Sequence, residues 1–149
     1  MNNLIYIING PNLNKLGVRE TEKYGSKSII DLKKLCEETC KKHNITMDFF
    51  QSNKEYDIID KIHDAKDKAS AILINAAAFT HTSVAILDAL SIFDGPIIEI
   101  HITNIHAREE FRHKSFISNI AYGIIAGFGF KSYELAIEAI KHKLDNNRD

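Results

Sequence analysis

Two ionisable side chains, Glu99 and His101, lie two residues apart within an apolar segment of the chain. Residues 97–103 alternate apolar and polar types, which is typical of a β-strand with two different faces. Glu99 and His101 therefore share one face, close to the carboxyl end of the strand. The other strand candidates are continuous apolar runs, as expected in a parallel sheet that is covered on both faces. Because buried charge persists only where it is paired or used in chemistry, this pair marks a candidate active site.

Charged and polar side chains also follow the ends of the predicted strands. His106, Arg108 and Arg112 come directly after the strand just described, so two fixed positive charges stand where open α/β sheets bind ligands. Amide, imidazole and hydroxyl groups follow three other strands, in residues 9–12, 51–53 and 75–81. Such groups suit a small ligand that carries hydroxyl or carboxylate groups.

Each of these features also has a purely structural explanation. Residues 9–12 could form an ordinary turn, since all four are turn-forming types. Asn75 could cap the following helical turn, Arg108 could belong to a solvated turn, and Tyr24 could be a packing aromatic of its loop. All of these explanations would have to hold together at one edge of the sheet, so we favour a functional site.

Metal and nucleotide sites find little support in the sequence. Pairs such as His81 with His101, or His101 with His106, could hold a metal, but neither a helical His-x-x-x-His nor a Cys–His set is present. A nucleotide-binding module would need a glycine-rich phosphate loop, and Gly10, Gly123, Gly127 and Gly129 do not match one. We therefore favour neither a metal site nor a nucleotide-binding loop. Sensitivity to a chelator would reveal a metal-dependent hydrolase instead.

The composition of the 149 residues is that of an ordinary globular protein, with 44% hydrophobic and 26% charged residues. We expect a single catalytic domain over residues 1–149. The net charge of −1 argues against nucleic acid or an anionic membrane as a partner. The chain has no apolar run near the roughly 20 residues of a membrane span. Cys36 and Cys40, four residues apart on one helical pattern, suit reduced core positions and a cytoplasmic location.

Five predicted strands alternate with helical patterns. The strands are expected at 4–9, 45–50, 71–75, 97–103 and 121–126, and the helices at 27–43, 55–68, 82–93 and 130–144. Ser28 and Asp31 form a candidate cap of the first of these helices. Strict alternation with right-handed crossovers predicts an α/β fold with a doubly wound parallel sheet, flavodoxin-like, in the strand order 2-1-3-4-5.

The helical segment 82–93 is apolar on nearly all sides. Between Thr82 and Asp94, its polar residues are Ser83, Asp88 and Ser91. A helix on the surface of a single domain normally shows one apolar stripe, so the outer side of this helix needs a cover. We expect a homo-oligomer in which Asp88 meets a partner across the subunit boundary.

These segments resemble one family, the type II 3-dehydroquinate dehydratases. The matches run in order through residues 8–14, 16–17, 19–20, 24–25, 51–53, 80–83, 88–90 and 99–113, with fainter matches at Gly127 and 133–135. Three departures stand out. Tyr56 stands where the family commonly carries glycine. Asn75-Ala76-Ala77-Ala78-Phe79 replaces the family's usual Asn-Pro-Gly-Ala-Tyr, and Thr103 replaces a serine.

The resemblance implies a carbon–oxygen lyase that dehydrates 3-dehydroquinate to 3-dehydroshikimate through an enolate, without a cofactor. The reaction would serve the shikimate pathway of aromatic amino-acid biosynthesis, with quinate catabolism as the alternative. The resemblance also implies trimers assembled into a dodecamer, with Asp88 reaching the site of a neighbour. A homologue without catalytic activity would be expected to lack Tyr24, Arg19 or His101, and all three are present.

The resemblance assigns the removal of a substrate proton to Tyr24. A free tyrosine ionises only near pH 10, so this role needs cations that favour the phenolate, and Arg19 and Arg108 are available. Residues 16–25 carry both Arg19 and Tyr24 and are expected to act as a lid.

The general acid implied by the resemblance is His101, which Glu99 would hold oriented and protonated. Asn12 would stabilise the enolate through a water molecule. The substrate carboxylate would be held by Asn75 and by the backbone N–H groups of Ile102 and Thr103. The ring hydroxyls would be bound by His81, Asp88 and Arg112.

Overall fold

A central sheet of five parallel strands organises the protein in the computed structural model, which describes residues 3–146. The strands are β1 (Leu4–Asn9), β2 (Thr46–Gln51), β3 (Ala71–Asn75), β4 (Ile97–His101) and β5 (Gly123–Ala126). They are ordered β2-β1-β3-β4-β5, and every neighbouring pair is parallel. The predicted doubly wound fold and its strand order are therefore confirmed.

Helices cover both faces of the sheet. These are α2 (Ile29–Lys42), α3 (Glu55–Lys68), α4 (Val84–Leu90) and α5 (Lys131–Asp145), whereas the short α1 (Thr21–Tyr24) has no buried residue. Because alternate strand residues point to opposite faces, the core has two halves. Ile5 and Ile7 belong to the half that contains α2 and α5, whereas Tyr6 and Ile8 belong to the half with α3 and α4. Among the described helices, none is long and apolar enough to cross a membrane.

Helix α2 illustrates how local sequence sets an element. Ser28 and Asp31 form a capping box: Asp31 N donates to Ser28 Oγ, and Ser28 N donates to the Asp31 carboxylate at 2.9 Å. Cys36 and Cys40 are buried free thiols on the inner side of the helix, as predicted. Burial raises the pKa of both thiols, which keeps them protonated.

The helix predicted at 27–43 is observed as α2, which begins after its Ser28 cap and ends at Lys42. Three further elements are shorter than the sequence suggested. The predicted helix 82–93 is reduced to α4, which begins after Ser83 because the Ser83 side chain accepts from Ile86 N at 2.9 Å. The predicted strand 97–103 ends at His101, level with Ala126 at the end of β5. The predicted strand 121–126 begins only at Gly123. In these three cases apolar residues continue beyond the hydrogen-bonded element, so the pattern overestimates its length.

Candidate active site

A cavity opens at the carboxyl edge of the sheet, between the loops that follow β1, β3 and β4. Apart from Glu99 and Asp88, the predicted site residues all line it: Asn12, Arg19, Tyr24, Asn75, His81, His101, Ile102, Thr103, Arg108 and Arg112. Glu99 is buried behind His101 and contacts it. Asp88 is an exposed residue of α4 and does not line the cavity of its own chain.

The Tyr24 phenol lies beside two guanidinium groups. Arg108 Nη1 donates to the Tyr24 hydroxyl at 2.7 Å and to Thr103 Oγ1 at 3.3 Å. The Arg19 guanidinium lies 5.1 Å from the centre of the Tyr24 ring, and that of Arg108 lies 5.5 Å from it. Two fixed positive charges therefore lie close to the phenol oxygen and would attract negative charge that develops there.

Arg108 is the more buried of the two cations. Its side chain is 12% exposed, whereas that of Arg19 is 40% exposed and pairs with Glu20 at 2.9 Å. The buried Nε of Arg108 lacks a hydrogen-bond partner among residues 3–146, since the nearest carboxylate oxygen, on Glu109, is 3.8 Å away. A buried donor without an acceptor is costly, so this edge of the cavity favours an anionic or oxygen-rich ligand.

His101 and Glu99 form a buried pair on β4. His101 Nε2 contacts Glu99 Oε2 at 2.5 Å, and the two side chains are 5% and 1% exposed. Burial by itself would raise the pKa of Glu99, but hydrogen bonds from His101 and Ser118, with a further one from Ser115, hold that pKa below its usual value. Because Nε2 contacts Glu99, Nδ1 is the ring nitrogen of His101 that is left for a ligand.

His81 lies parallel to His101, with 6.4 Å between the ring centres. Its Nδ1 donates to the Lys114 carbonyl at 2.8 Å. Burial lowers the pKa of His81, and the neighbouring His101 and Arg112 act in the same direction. A neutral ring with Nδ1 protonated leaves Nε2 as an acceptor, which suits a ligand hydroxyl.

Asn75 is held by a buried chain of hydrogen bonds. Its amide nitrogen donates to the Tyr133 hydroxyl at 2.9 Å, and that hydroxyl donates to Asn9 Oδ1 at 2.6 Å. Asn75 Oδ1 accepts from Ala77 N at 3.2 Å, whereas the N-cap of the following 3₁₀ helix is Ala76, so Asn75 is not its cap. Because an amide nitrogen carries two hydrogens, the second remains for a ligand carboxylate.

The loop after β3 holds a non-glycine residue in an unusual conformation. Ala77 has φ of +52°, in the left-handed region. Its position matches the glycine of the family's usual Asn-Pro-Gly-Ala-Tyr segment. The chain nevertheless continues into a short 3₁₀ helix, Ala77–His81, and brings His81 to the cavity. His81 therefore reaches the cavity although a strained alanine stands at the position of that glycine.

The segment after β2 supports the site instead of lining it. Asn53 Oδ1 accepts from Asn12 N at 2.9 Å, and Gln51 Nε2 donates to the Gly10 carbonyl at 3.1 Å. These bonds brace the loop that carries Asn12. A Cβ at Gly10 would stand 2.3 Å from the Ala76 carbonyl oxygen, so only glycine allows the two loops to approach this closely.

Of the remaining candidates, one arginine lines the cavity and one histidine lies outside it. Arg112 lines the cavity, and its Nε donates to Glu109 at 3.0 Å. His106 lies outside the cavity, with its ring 5.7 Å from that of His113. Within residues 3–146, the His, Cys, Asp and Glu side chains form no group of three that could hold a metal ion.

Several supporting residues were not among the predicted site residues. Ser115 and Ser118 contact Glu99 from 16 and 19 residues away, and Tyr133 reaches Asn9 across 124 residues. No short-range spacing connects such partners. The faint resemblance at 133–135 is the one sequence signal that touches this set.

Comparison with known proteins identifies the family. A family model described as Dehydroquinase class II matches residues 3–141. The chain belongs to this family. The predicted enzyme class, a type II dehydroquinase and hence a hydro-lyase, is confirmed.

Relatives and solved structures of this family match most of the chain. The 3-dehydroquinate dehydratase of Cereibacter sphaeroides is 53% identical over 140 residues, covering 94% of this chain and 95% of the relative. A catabolic 3-dehydroquinase of Talaromyces marneffei is 53% identical over 134 residues, covering 90% of this chain and 77% of the relative. The crystal structure of the type II dehydroquinase of Butyrivibrio crossotus superposes with a TM-score of 0.90 at 45% identity, covering 93% of this chain and 97% of that one.

Proposed function

We propose that the protein, as a single catalytic domain, dehydrates 3-dehydroquinate to 3-dehydroshikimate. One observation carries the proposal: the cavity places a phenol beside two guanidinium groups and also contains an imidazole held by a buried carboxylate. Elimination of water next to a ketone needs this pair of a base and an acid. The relatives named as 3-dehydroquinate dehydratases support the choice of substrate.

Tyr24 acts as the base in the proposed mechanism. Its phenolate takes the proton on the carbon next to the ketone, and the electrons of that C–H bond form an enolate. Arg108, 2.7 Å from the phenol oxygen, and Arg19 stabilise the phenolate before the transfer. Asn12, which lines the cavity, stabilises the enolate through a water molecule.

His101 completes the elimination as the acid. The enolate electrons re-form the ketone and the new C=C bond, the C–O bond to the tertiary hydroxyl breaks, and the proton from His101 Nδ1 leaves with that oxygen as water. Glu99 keeps the imidazole oriented and favours its protonated form, since both groups are buried in contact. Proton transfer from Tyr24 back to His101 through solvent restores the enzyme.

The substrate is held by groups around the same cavity. Asn75 and the backbone N–H groups of Ile102 and Thr103 bind the carboxylate. The Asn75 amide is suited to this role because Tyr133 fixes it and leaves one of its N–H hydrogens for the substrate. The ring hydroxyls are bound by His81, Arg112 and Asp88 of the neighbouring subunit. Residues 16–25, which carry Arg19 and Tyr24, close over the bound substrate as a lid.

The direct test is an absorbance assay for the conjugated enone of the product. Purified protein is expected to convert 3-dehydroquinate at full rate in excess chelator. Loss of activity in chelator that a divalent ion restores would overturn the metal-free mechanism. Absence of any turnover would overturn the proposed reaction and favour a binding module.

A second assay separates the enolate route from a Schiff base on lysine. The mechanism assigns no reacting lysine, so borohydride added during turnover should leave both the activity and the protein mass unchanged. A stable adduct on any lysine would contradict the enolate route.

We place the reaction in the shikimate pathway, in the cytoplasm, and keep quinate catabolism as the second candidate because one relative is named a catabolic enzyme. Deletion of the gene in its source organism should produce a requirement for aromatic amino acids. Loss of growth on quinate without that requirement would favour the catabolic role.

The oligomer that we propose is a dodecamer built from trimers, with a shared active site. Apolar side chains on and after α4 are exposed in the single chain, Val84 at 51% and Ile92 at 48%, and Asp88 lies between them. Burial of this face against a neighbour would cover the apolar groups and carry Asp88 to the adjoining cavity.

Two measurements test this assembly. Light scattering should give a mass near twelve chains, or near three for a dissociated form. Inactive Tyr24→Phe and Asp88→Ala proteins, denatured and refolded together, should recover partial activity. A monomer, or confirmed mixed oligomers without recovery, would contradict the shared site.

A further inference from the structure

One short segment, residues 114–118, supports both histidines of the cavity from behind. The Lys114 carbonyl accepts from His81 Nδ1 at 2.8 Å. Ser115 Oγ and Ser118 Oγ donate to Glu99 Oε1 at 2.9 and 2.7 Å, while the other carboxylate oxygen contacts His101. The catalytic scheme uses Glu99 and His101 but leaves the two serines without a role.

The two serine hydroxyls differ in what they contact besides Glu99. Ser115 Oγ accepts from the backbone N–H groups of Ile117 and Ser118 at 3.0 and 3.1 Å, so it also shapes the turn. The segment is further tied to the loop after β3, because Phe116 N donates to the Thr80 carbonyl at 3.0 Å. Among residues 3–146, the hydrogen bond of Ser118 Oγ is with Glu99, so removal of this hydroxyl tests that bond with little disturbance of the backbone.

Glu99 needs these donors because it is 1% exposed. A buried carboxylate that is short of hydrogen bonds tends to take up a proton and turn neutral. A neutral Glu99 would take its proton from the shared hydrogen bond with His101 and leave an uncharged imidazole, which is a much weaker acid. The serine hydroxyls oppose this transfer by stabilising the charge on Glu99.

We propose that Ser118, assisted by Ser115, is a positioning residue of the reaction: it keeps Glu99 ionised and turned toward His101, and thereby maintains His101 as the acid. This inference rests on the proposed function, since it concerns the departure of water from the same substrate. Ser118 does not line the cavity. Its effect should therefore appear in kcat and not in KM.

Steady-state kinetics with 3-dehydroquinate test the proposal. Ser118→Ala should lower kcat about tenfold, the usual loss for one hydrogen bond to a charged group, with KM within about twofold of the parent. Ser118→Thr, which keeps the hydroxyl, should retain most of kcat. Ser118→Val, which has the shape of the threonine variant without the hydroxyl, should lose as much as Ser118→Ala. The exposed neighbour Asn119 provides a control, and Asn119→Ala should leave both constants unchanged.

A double-mutant cycle shows whether Ser118 acts through Glu99. If it does, adding Ser118→Ala to Glu99→Gln should cost less than about twofold beyond Glu99→Gln alone. The proposal would be overturned if the losses in kcat of Ser118→Ala and Glu99→Gln multiply in the double variant. Equal losses in Ser118→Thr and Ser118→Val, or a parental kcat in Ser118→Ala, would also overturn it. Failure of the parent to turn over 3-dehydroquinate would instead refute the proposed function, so the two failures are distinguishable.

Discussion

The two chemical halves of the cavity are constructed in different ways. The acid half consists of Glu99 and His101 on a central strand, both almost fully buried and held by hydrogen bonds. The base half consists of Arg19 and Tyr24 on the loop between β1 and α2, where Arg19 is 40% exposed and pairs with the exposed Glu20. One half is part of the sheet, and the other is carried by a surface loop.

The Arg108 side chain connects the two halves. Arg108 follows β4, yet its guanidinium donates to the Tyr24 hydroxyl across 84 residues of sequence. The loop itself passes through left-handed backbone at Gly17, Glu20 and Gly25. The acid is thus fixed by folding of the sheet, whereas the base is carried by a loop and is held by packing of the Tyr24 ring against the core and by the hydrogen bond from Arg108. The two halves should therefore respond differently to mutation.

Removal of the connecting side chain should have the largest effect among the supporting residues. Arg108→Ala takes away the donor to Tyr24 and the more buried cation, and kcat should fall by about two orders of magnitude. Thermal stability should change much less, because the base half contributes little to the core. Steady-state kinetics and a melting curve on the same preparation check both expectations. A kcat within threefold of the parent would show that Tyr24 does not depend on Arg108.

Glu99→Gln should affect the acid half in both activity and stability. The loss of the carboxylate should lower kcat about tenfold or more. Because the pKa of Glu99 is below its unfolded value, its ionised form stabilises the fold above the unfolded pKa, and this contribution is lost as the pH falls through the folded pKa. Denaturant unfolding should therefore show the parent exceeding the variant in stability at neutral pH, with a gap that narrows in acid. A gap that widens in acid would refute this assignment.

Arg19 and its partner Glu20 allow a milder test of the base half. Arg19→Ala should lower kcat about tenfold and leave the binding of a product analogue nearly unchanged, since Arg19 acts on the phenolate and not on bound ligand. Glu20→Gln removes the ion pair with Arg19 and should change kcat by less than about threefold, because exposed pairs contribute little. Equal losses in the two variants would indicate that the ion pair, and not the cation, matters.

Relief of strain beside the acid half should produce the smallest effect. Ala77→Gly should raise the free energy of unfolding by about 0.5 to 1 kcal/mol, because φ of +52° suits glycine better than alanine. Ala78, the next residue, is not in the left-handed region, so Ala78→Gly should lower stability instead. Denaturant unfolding of both variants checks the sign. Destabilisation by Ala77→Gly would contradict the strain at this position.

The acid half could be predicted from the sequence more completely than the element ends and the supporting residues around it. The alternation around Glu99 and His101 predicted their shared face and their burial because a strand has a fixed period. The ends of β4 and α4 were overestimated, since apolar residues continue past the last ladder or helical bond. The contacts of Ser118 and Tyr133 could not be predicted, because they join residues far apart in the chain. The position of Tyr24 came from the resemblance and not from any periodicity.

The account depends most directly on Tyr24 as the base. The decisive measurement is kcat of Tyr24→Phe, taken beside the affinity of the same protein for a carboxylate-bearing product analogue. We predict a kcat at least about 100-fold below the parent, with the affinity for the analogue within about threefold. Near-normal turnover by a correctly folded Tyr24→Phe protein would contradict the account, because another group would then have to remove the proton.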